Sequence, residues 1–262
     1  MKLSFSNIAW DASQDEEMYQ FLMEQGFFGL EIAPTRIFPE QPYEHLTEAK
    51  DFVKMLKERY HLHISSMQSI WFGKNENIFG SGGERQTLIE YTKKAVDFAA
   101  SCECRNLVFG CPKNRNIPDG ASYETAYDFF KEIAAYAINH GTVIAIEPNP
   151  PIYGTNFINR TAEACSFARE VPGLKLNLDT GTIIENSENL KIIADHLSLV
   201  NHVHISEPYL EKVKERDLHI ELSKILSAIN YDQYVSVEMK NLGDIEAVKQ
   251  AAEYLRRIFD EI

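Results

Sequence analysis

Short apolar stretches alternate with longer stretches of helical period along the whole chain, and this alternation constrains the fold most strongly. The first pair is KLSFSNIAW followed by DEEMYQFLMEQG, and the last is YVSVEMKN followed by DIEAVKQAAEYLRRI. Strands that alternate with helices pair in parallel, with the helices as crossovers. About eight such units without a break in composition suit a closed barrel of this length. We predict an α/β fold, a single (β/α)8 TIM barrel forming one domain over residues 1–262.

The charge of the chain argues against two classes of partner. Lys and Arg number 26 and Asp and Glu 39, so the formal net charge is −13. A surface this acidic repels phosphate backbones and anionic lipid, so we expect neither nucleic acid nor a membrane as partner. No apolar run approaches the about 20 residues of a membrane span, and MKLSFSNIAW is too polar for a signal peptide. We therefore predict a cytoplasmic protein, with its four cysteines as buried free thiols.

Four consecutive strands end in a side chain that binds metal ions well. These are Glu147 in IAIEPNP, Asp179 in LNLDTG, His204 in HVHIS and Glu238 in VSVEMK. The carboxyl ends of all strands in a barrel open on one face, where active sites lie, so the four side chains should converge. Three carboxylates brought together without a cation would repel one another. The set suits one divalent metal ion, Mn²⁺ or Mg²⁺ by preference, with Co²⁺ or Zn²⁺ as alternatives.

Side chains two residues before these strand ends point to the same inward side, because the strand period is two. They are Asn177, His202 and Ser236, and we predict that they support the metal ligands from behind. His202 lies about 6.6 Å deeper than His204 by strand rise, which is too far to share the ion. For Glu31, in GLEIAP, the sequence leaves open a role at the site and a structural role.

Long loops follow the third and fourth strands, at residues 69–85 and 111–122. The first loop is either a mobile surface loop or a lid whose aromatic residues cover a ligand. We predict substrate contacts from loop and strand-end residues, namely Trp71, Lys113, Arg115, Asn149, Glu207, His219 and Lys240. Together with Arg36 and Lys74, the basic members of this set suggest an anionic substrate, such as a sugar phosphate or a sugar acid.

The motifs IEPNP, NFIN, LDTG, HVHISEP and SVEMK resemble the xylose-isomerase-like barrel superfamily. Within it, the chain is similar to the sugar phosphate isomerase/epimerase group that includes the ketose 3-epimerases. The resemblance implies that Glu147, Asp179, His204 and Glu238 hold the metal, and that Glu147 and Glu238 also move the substrate proton. It further suggests a homo-oligomer, either a dimer or a tetramer.

The chain departs from the ketose 3-epimerases at two positions that help those enzymes to hold free ketoses. Thr182 stands where they carry a histidine, and Leu210 stands where they carry an arginine. The resemblance therefore does not carry over the substrate. A second branch of the superfamily, the type IV apurinic endonucleases, uses three zinc ions and further histidines on strands three and four. Here those strands end in SSMQS and VFGCP, without a histidine.

These observations predict an enzyme, a divalent-metal-dependent isomerase or epimerase acting on a sugar or sugar phosphate. One glutamate would remove a proton beside the carbonyl to give an enediolate, and the other would return it. The same site could instead serve a lyase that dehydrates a cyclitol or sugar acid, with His219 or Glu207 as the acid. A barrel that binds a ligand without catalysis and an apurinic endonuclease-like DNA repair enzyme are further alternatives.

Overall fold

The computed structural model describes residues 1–260 and contains a closed barrel of eight parallel strands. The strands are β1 (Lys2–Ser6), β2 (Gly29–Ile32), β3 (His63–Met67), β4 (Leu107–Phe109), β5 (Ile144–Ile146), β6 (Lys175–Asp179), β7 (Val200–Ile205) and β8 (Tyr234–Val237). Each strand pairs with its neighbour in chain order, and β8 closes the barrel onto β1. The predicted TIM barrel is confirmed.

Helices connect the strands. The α-helices are α1 (Asp15–Glu24), α2 (Pro34–Ile37), α3 (Leu46–Tyr60), α4 (Gly82–Ser101), α5 (Tyr123–Asn139), α6 (Thr161–Glu170), α7 (Thr180–Glu185), α8 (Asp217–Ala228) and α9 (Ile245–Asp260). Short 3-10 helices lie at Asn7–Ala9, Ala12–Gln14, Pro42–Glu44, Pro112–Asn114, Pro151–Tyr153, Leu190–Leu199 and Pro208–Leu210. No helix within residues 1–260 is long and apolar enough to cross a membrane.

Alternation along the strands separates an apolar outer face from a polar inner one. Phe5, Val203 and Val235 are fully buried and alternate with polar residues that point inward. Burial of each such apolar side chain contributes about 1.5–3 kcal/mol to folding. The strands are therefore held from outside by the helices, which leaves the inner face available for polar groups.

The barrel interior contains a chain of serine hydroxyls. Ser4 Oγ lies 2.6 Å from Ser65 Oγ, and Ser236 Oγ donates to Ser4 Oγ at 3.3 Å. Ser236 pairs in register with His204 on one side and with Ser4 on the other, and its hydroxyl donates to Ser4. Its support for the metal ligands stays a prediction.

Strand register fixes the heights of the predicted ligands. Asp179, the last residue of β6, pairs with His204 of β7, and Asn177 pairs with His202. Glu147 and Glu238 directly follow β5 and β8, and the ladder continues through them. Their backbone N–H groups donate to Phe109 O and Ile205 O, each at 3.0 Å. Backbone hydrogen bonds thus fix the position of the main chain at each predicted ligand.

The loop between β3 and α4 is bonded to the loop after β4. Asn114 Nδ2 donates to Lys74 O at 3.0 Å and to Glu76 O at 2.8 Å, and Ile78 N donates to Asn114 O at 3.0 Å. Of its aromatic residues, Phe72 is 70% exposed. The four cysteines are free thiols, three of them buried and Cys111 partly exposed.

His219 gives the fold a pH dependence that can be measured. Burial lowers the pKa of His219 from its ordinary 6.5 to about 4, and its Nδ1 lies 3.1 Å from Tyr254 Oη. The unfolded chain takes up this proton at the ordinary pKa, so stability is lost as pH falls from about 6.5 to about 4. Between about pH 7 and about pH 5, the melting temperature of His219→Asn should therefore decrease less than that of the wild type.

Thermal melts followed by circular dichroism measure this difference. His61→Asn is the matched control, because His61 is exposed and its left-handed backbone (φ 55°) suits asparagine. It should follow the wild type. An equal loss of melting temperature in all three proteins would contradict the role of His219.

Candidate metal centre

Four side chains from neighbouring strands converge at the carboxyl end of the barrel. They are Glu147, Asp179, His204 and Glu238, and one ligand atom from each lies within 4.8 Å of the others. His204 is fully buried, and the three carboxylates are each 7–8% exposed. The three carboxylates line a cleft with a volume of about 170 Å³. These four side chains could hold a metal ion, and they are the four that the strand ends predict.

The two ring nitrogens of His204 meet carboxylates on opposite sides. Nδ1 lies 2.9 Å from Glu147 Oε1 and 3.2 Å from Glu238 Oε2. Nε2 lies 2.8 Å from Oε2 of Glu31, a fully buried residue of β2. Burial lowers the pKa of His204, but Glu238, Glu31 and Glu147 outweigh it and raise this pKa well above its ordinary value.

Asp179 is bonded to the start of the next helix. It caps α7, accepting from Gly181 N at 3.2 Å and Thr182 N at 2.8 Å. The hydroxyls of Thr182 and Ser206 also donate to it. Thr182, which replaces the histidine of the ketose 3-epimerases, therefore orients Asp179. Burial and the charge of Glu147 nevertheless raise the pKa of Asp179.

Each glutamate directs one oxygen to His204 and the other to an amide. Glu147 Oε2 accepts from Asn149 Nδ2 at 3.1 Å, and Glu238 Oε1 accepts from Gln68 Nε2 at 2.8 Å. Both amides line the cleft. Gln68 is absent from the sequence-based predictions, although it directly follows β3 and the strand-end rule that found the four ligands would have found it too.

A side chain at position 110 would displace one of these carboxylates. A Cβ built on Gly110, which directly follows β4, would lie 2.9 Å from Glu147 Oε2. Real Cβ atoms essentially never approach a neighbour this closely. The glycine therefore makes room for Glu147 at the cleft wall.

The charges of the site favour a cation. Burial raises the pKa values of Asp179 and Glu238, because desolvation disfavours their charged forms, and a bound cation would favour them again. Asn177 Nδ2 donates to Glu147 Oε1 at 2.7 Å, as a supporting residue should. Three carboxylate oxygens and one imidazole nitrogen form a hard donor set that suits a divalent ion.

The cleft wall is largely apolar above the carboxylates. It is lined by Gln68, Ser69, Val108, Gly110, Cys111, Pro112, Glu147, Asn149, Tyr153, Asp179, Leu210 and Glu238. Within residues 1–260, no lysine, arginine or histidine side chain belongs to this lining. Of the predicted substrate contacts, only Asn149 lies in the wall.

Two predicted substrate contacts are buried behind the cleft. Trp71 packs against Phe109 and Phe129 and donates from Nε1 to Thr92 Oγ1 at 2.9 Å. Arg115 is fully buried and donates to Glu147 O and Asn149 Oδ1, each at 2.9 Å. Both predictions are corrected: Trp71 is a core residue, and Arg115 holds the peptide and amide that carry the site.

The other basic residues also lie outside the cleft lining. Arg36 pairs with Asp15 at 2.6 Å, Lys74 lies 4.0 Å from the centre of the Tyr91 ring, and Lys240 pairs with Glu211. Lys113 is exposed beside Pro112. The basic residues that suggested an anionic substrate therefore do not line the cleft. Arg36, Lys74 and Lys240 contact other side chains instead.

The two acids suggested for a lyase are also placed elsewhere. Glu207 is buried and pairs with Arg216 at 2.5 Å, and His219, in the first turn of α8, contacts Tyr254 of α9. Neither belongs to the cleft lining. Their predicted substrate contacts are corrected, and the lyase interpretation loses both of its proposed acids.

The fold and these strand-end residues agree with a match to a family model, the xylose isomerase-like TIM barrel, over residues 20–258. The chain belongs to this family. A comparison with curated proteins found no match.

Solved structures share the fold over nearly the whole chain. An apo 3-keto-D-glucoside 4-epimerase, YcjR, from E. coli is 20% identical, with 98% of this chain and 99% of that chain covered and a TM-score of 0.76. A D-psicose 3-epimerase crystallised with D-fructose is 18% identical, with 99% of each chain covered and a TM-score of 0.78. The IOLI protein with a bound zinc atom is 15% identical, with 100% and 97% covered and a TM-score of 0.75. At these identities the likeness shows the fold alone.

We expect His204→Ala to abolish metal binding, because it removes the nitrogen donor between Glu147 and Glu238. His202→Asn should weaken metal binding only about 10–100-fold, as changes behind a ligand do. Metal content by elemental analysis after dialysis, together with chelator competition, measures both effects. If His204→Ala kept a full equivalent of tightly bound ion, the four-ligand site would be wrong.

Proposed function

We propose that the chain is a divalent-metal-dependent isomerase or epimerase acting on a keto sugar that carries no phosphate. The observation that carries this proposal is the pair Glu147 and Glu238. Each has one oxygen at the ligand cluster and the other on an amide of the cleft wall. Fold neighbours that include two sugar epimerases support the choice of reaction.

The metal would be held by Glu147, Asp179, His204 and Glu238, a donor set that fits Mn²⁺, Mg²⁺, Co²⁺ or Zn²⁺. A divalent metal ion in this position supplies Lewis acidity, which stabilises negative charge on a substrate oxygen. The mostly apolar wall above the carboxylates limits water around the reacting carbon.

The two glutamates would move the substrate proton. One takes the proton from the carbon beside the carbonyl, giving an enediolate, while its neighbouring amide keeps the carboxylate in place. The other returns a proton, either to the opposite face of the same carbon or to the adjacent carbon. Asn149 serves Glu147 in this way, and Gln68 serves Glu238.

The cleft wall favours a neutral sugar. The charged residues in the lining are Glu147, Asp179 and Glu238, all acidic. A phosphate brought into this cleft would meet the carboxylates with no lining cation to bind it. Leu210, in place of an arginine, adds apolar surface that suits the C–H face of a sugar ring or chain.

Proton exchange tests the reaction. The metal-loaded enzyme in D₂O should incorporate deuterium beside the carbonyl of at least one keto sugar in a broad panel. At saturating metal, Glu147→Gln and Glu238→Gln should each slow exchange by about 10²–10⁴-fold, the usual contribution of a positioned acid or base. Lys240→Ala, in a surface ion pair with Glu211, is the control and should exchange like the wild type. Absence of exchange with every sugar, by NMR, would refute the proposal.

Matched sugar pairs test the charge of the substrate. For any ketose that the enzyme turns over, the phosphorylated form should have a lower kcat/KM, because the charged side chains that line the cleft are all acidic. We expect a drop of at least about 10-fold, which corresponds to about 1.4 kcal/mol. Lys113→Ala tests whether a cation beside the cleft binds a phosphate, since Lys113 is exposed next to Pro112 of the wall. A preference for the phosphate that Lys113→Ala removes would contradict the neutral substrate.

A further inference from the structure

Glu31 is a buried carboxylate that the proposed reaction does not use, and it contacts the proposed metal ligand His204 from behind. We propose that Glu31 selects which nitrogen of His204 binds the metal. It keeps the proton on Nε2, so that Nδ1 is left as the ligand. This inference rests on the metal centre of the proposed function.

The Nε2 side of the ring shows a donor facing an acceptor. Glu31 Oε2 lies 2.8 Å from His204 Nε2, a hydrogen-bond distance between two fully buried groups. A carboxylate oxygen facing an imidazole nitrogen at this distance accepts from it, so the contact places a proton on Nε2.

The Nδ1 side of the ring shows the opposite pattern. Asn177 Nδ2 lies 3.1 Å from Nδ1 and donates to Glu147 Oε1 at 2.7 Å. An amide nitrogen carries only donors, so one N–H is directed to Glu147 while the other faces the lone pair of Nδ1. Nδ1 is also the nitrogen that faces Glu147 and Glu238, at 2.9 and 3.2 Å. Nδ1, which faces the ligand cluster, is thus the nitrogen that would give up its proton to a metal ion, while Nε2 keeps its bond to Glu31.

His202 also contacts Glu31, but less closely than His204 does. Its Nε2 lies 3.2 Å from the same Glu31 oxygen, farther than His204 Nε2 at 2.8 Å. The shorter contact of Glu31 Oε2 is therefore the one with His204. His202 fills the space beside them, with ring centres 5.2 Å apart.

Glu31, His202 and His204 could also be read as a second metal site, because their ligand atoms lie within 4.8 Å of one another. We favour the hydrogen bond for two reasons. All three residues have 0% exposure, which offers an ion no direct route. Two metals would also require His204 to lose both ring protons.

Glu31 is then a positioning residue, which acts through His204 and touches no substrate. A carboxylate behind a ligating histidine fixes its tautomer and ring orientation and makes the ligating nitrogen more basic. Loss of such a partner typically costs 10–100-fold in metal affinity. The effect should therefore appear in binding of the metal alone, without any substrate.

The test uses the full-length protein, labelled with ¹⁵N-histidine and loaded with Zn²⁺, which is diamagnetic. Long-range ¹H–¹⁵N spectra should show His204 protonated at Nε2 and without a proton at Nδ1. Glu31→Gln should weaken Zn²⁺ binding about 10–100-fold in chelator competition and should shift or broaden the His204 Nε2–H signal. Glu31→Asp, which keeps the charge with a shorter reach, should restore part of the affinity.

Ser65→Ala is the matched control, a buried polar residue of the barrel interior whose hydroxyl contacts Ser4. Its Zn²⁺ affinity and His204 signals should equal those of the wild type. The inference is overturned if His204 carries its proton on Nδ1, or if Glu31→Gln binds Zn²⁺ within about 2-fold of the wild type. Two equivalents of Zn²⁺ in the wild type, one of them lost in Glu31→Gln, would establish the second metal site instead.

If Glu31→Gln fails to fold, the tautomer measured in the wild-type protein decides alone. This result is also separable from the proposed function. A protein that binds Zn²⁺ through Nδ1 but exchanges no deuterium into any sugar would refute the reaction and leave the role of Glu31 intact.

Discussion

His204 is enclosed by carboxylates on both faces of the site, and much of the inner barrel is arranged around the charge this creates. Glu147 and Glu238 lie on one side of the ring and Glu31 on the other, all at 2.8–3.2 Å. With Asp179, the four buried acids outnumber the two imidazoles, His202 and His204, that contact them. An excess of buried negative charge is stable only when a cation or protons compensate it. Burial, together with the neighbouring acids, raises the pKa values of Asp179 and Glu238 and so favours their protonated forms.

The groups around the carboxylates hold them without neutralising them. Asn149, Asn177 and Gln68 donate through amides, while Thr182 and Ser206 donate through hydroxyls. Neutral donors fix the direction of a carboxylate but leave its charge in place, so the site keeps its attraction for a cation. The only arginine near the cluster, among the described residues that bond to it, is Arg115, and it donates to a peptide oxygen and an amide. The protein therefore orients the negative charge and does not cancel it.

Sequence reasoning succeeded where backbone geometry decides the outcome. The alternation of strands and helices fixes the barrel, and the barrel fixes where Glu147, Asp179, His204 and Glu238 meet. It failed in the loops, where the direction of a side chain depends on its bonding partners, and sequence periodicity does not reveal these. Trp71 packs in the core, Glu207 pairs with Arg216, and Arg115 is buried instead of facing the cleft. Glu31 lay between these cases: its inward position follows from alternation in β2, but its contact with His204 needs the distance across the barrel.

Gly110 has a consequence for redesign of this cleft. The Glu147 carboxylate occupies the space that a side chain at position 110 would need, so this part of the wall is already filled from the neighbouring strand. Pro112 and Leu210, by contrast, border the cavity with side chains that no hydrogen bond ties to the carboxylates. A library built to change which ligands the cleft accepts can vary those two positions. Position 110 should remain glycine while those two positions are varied.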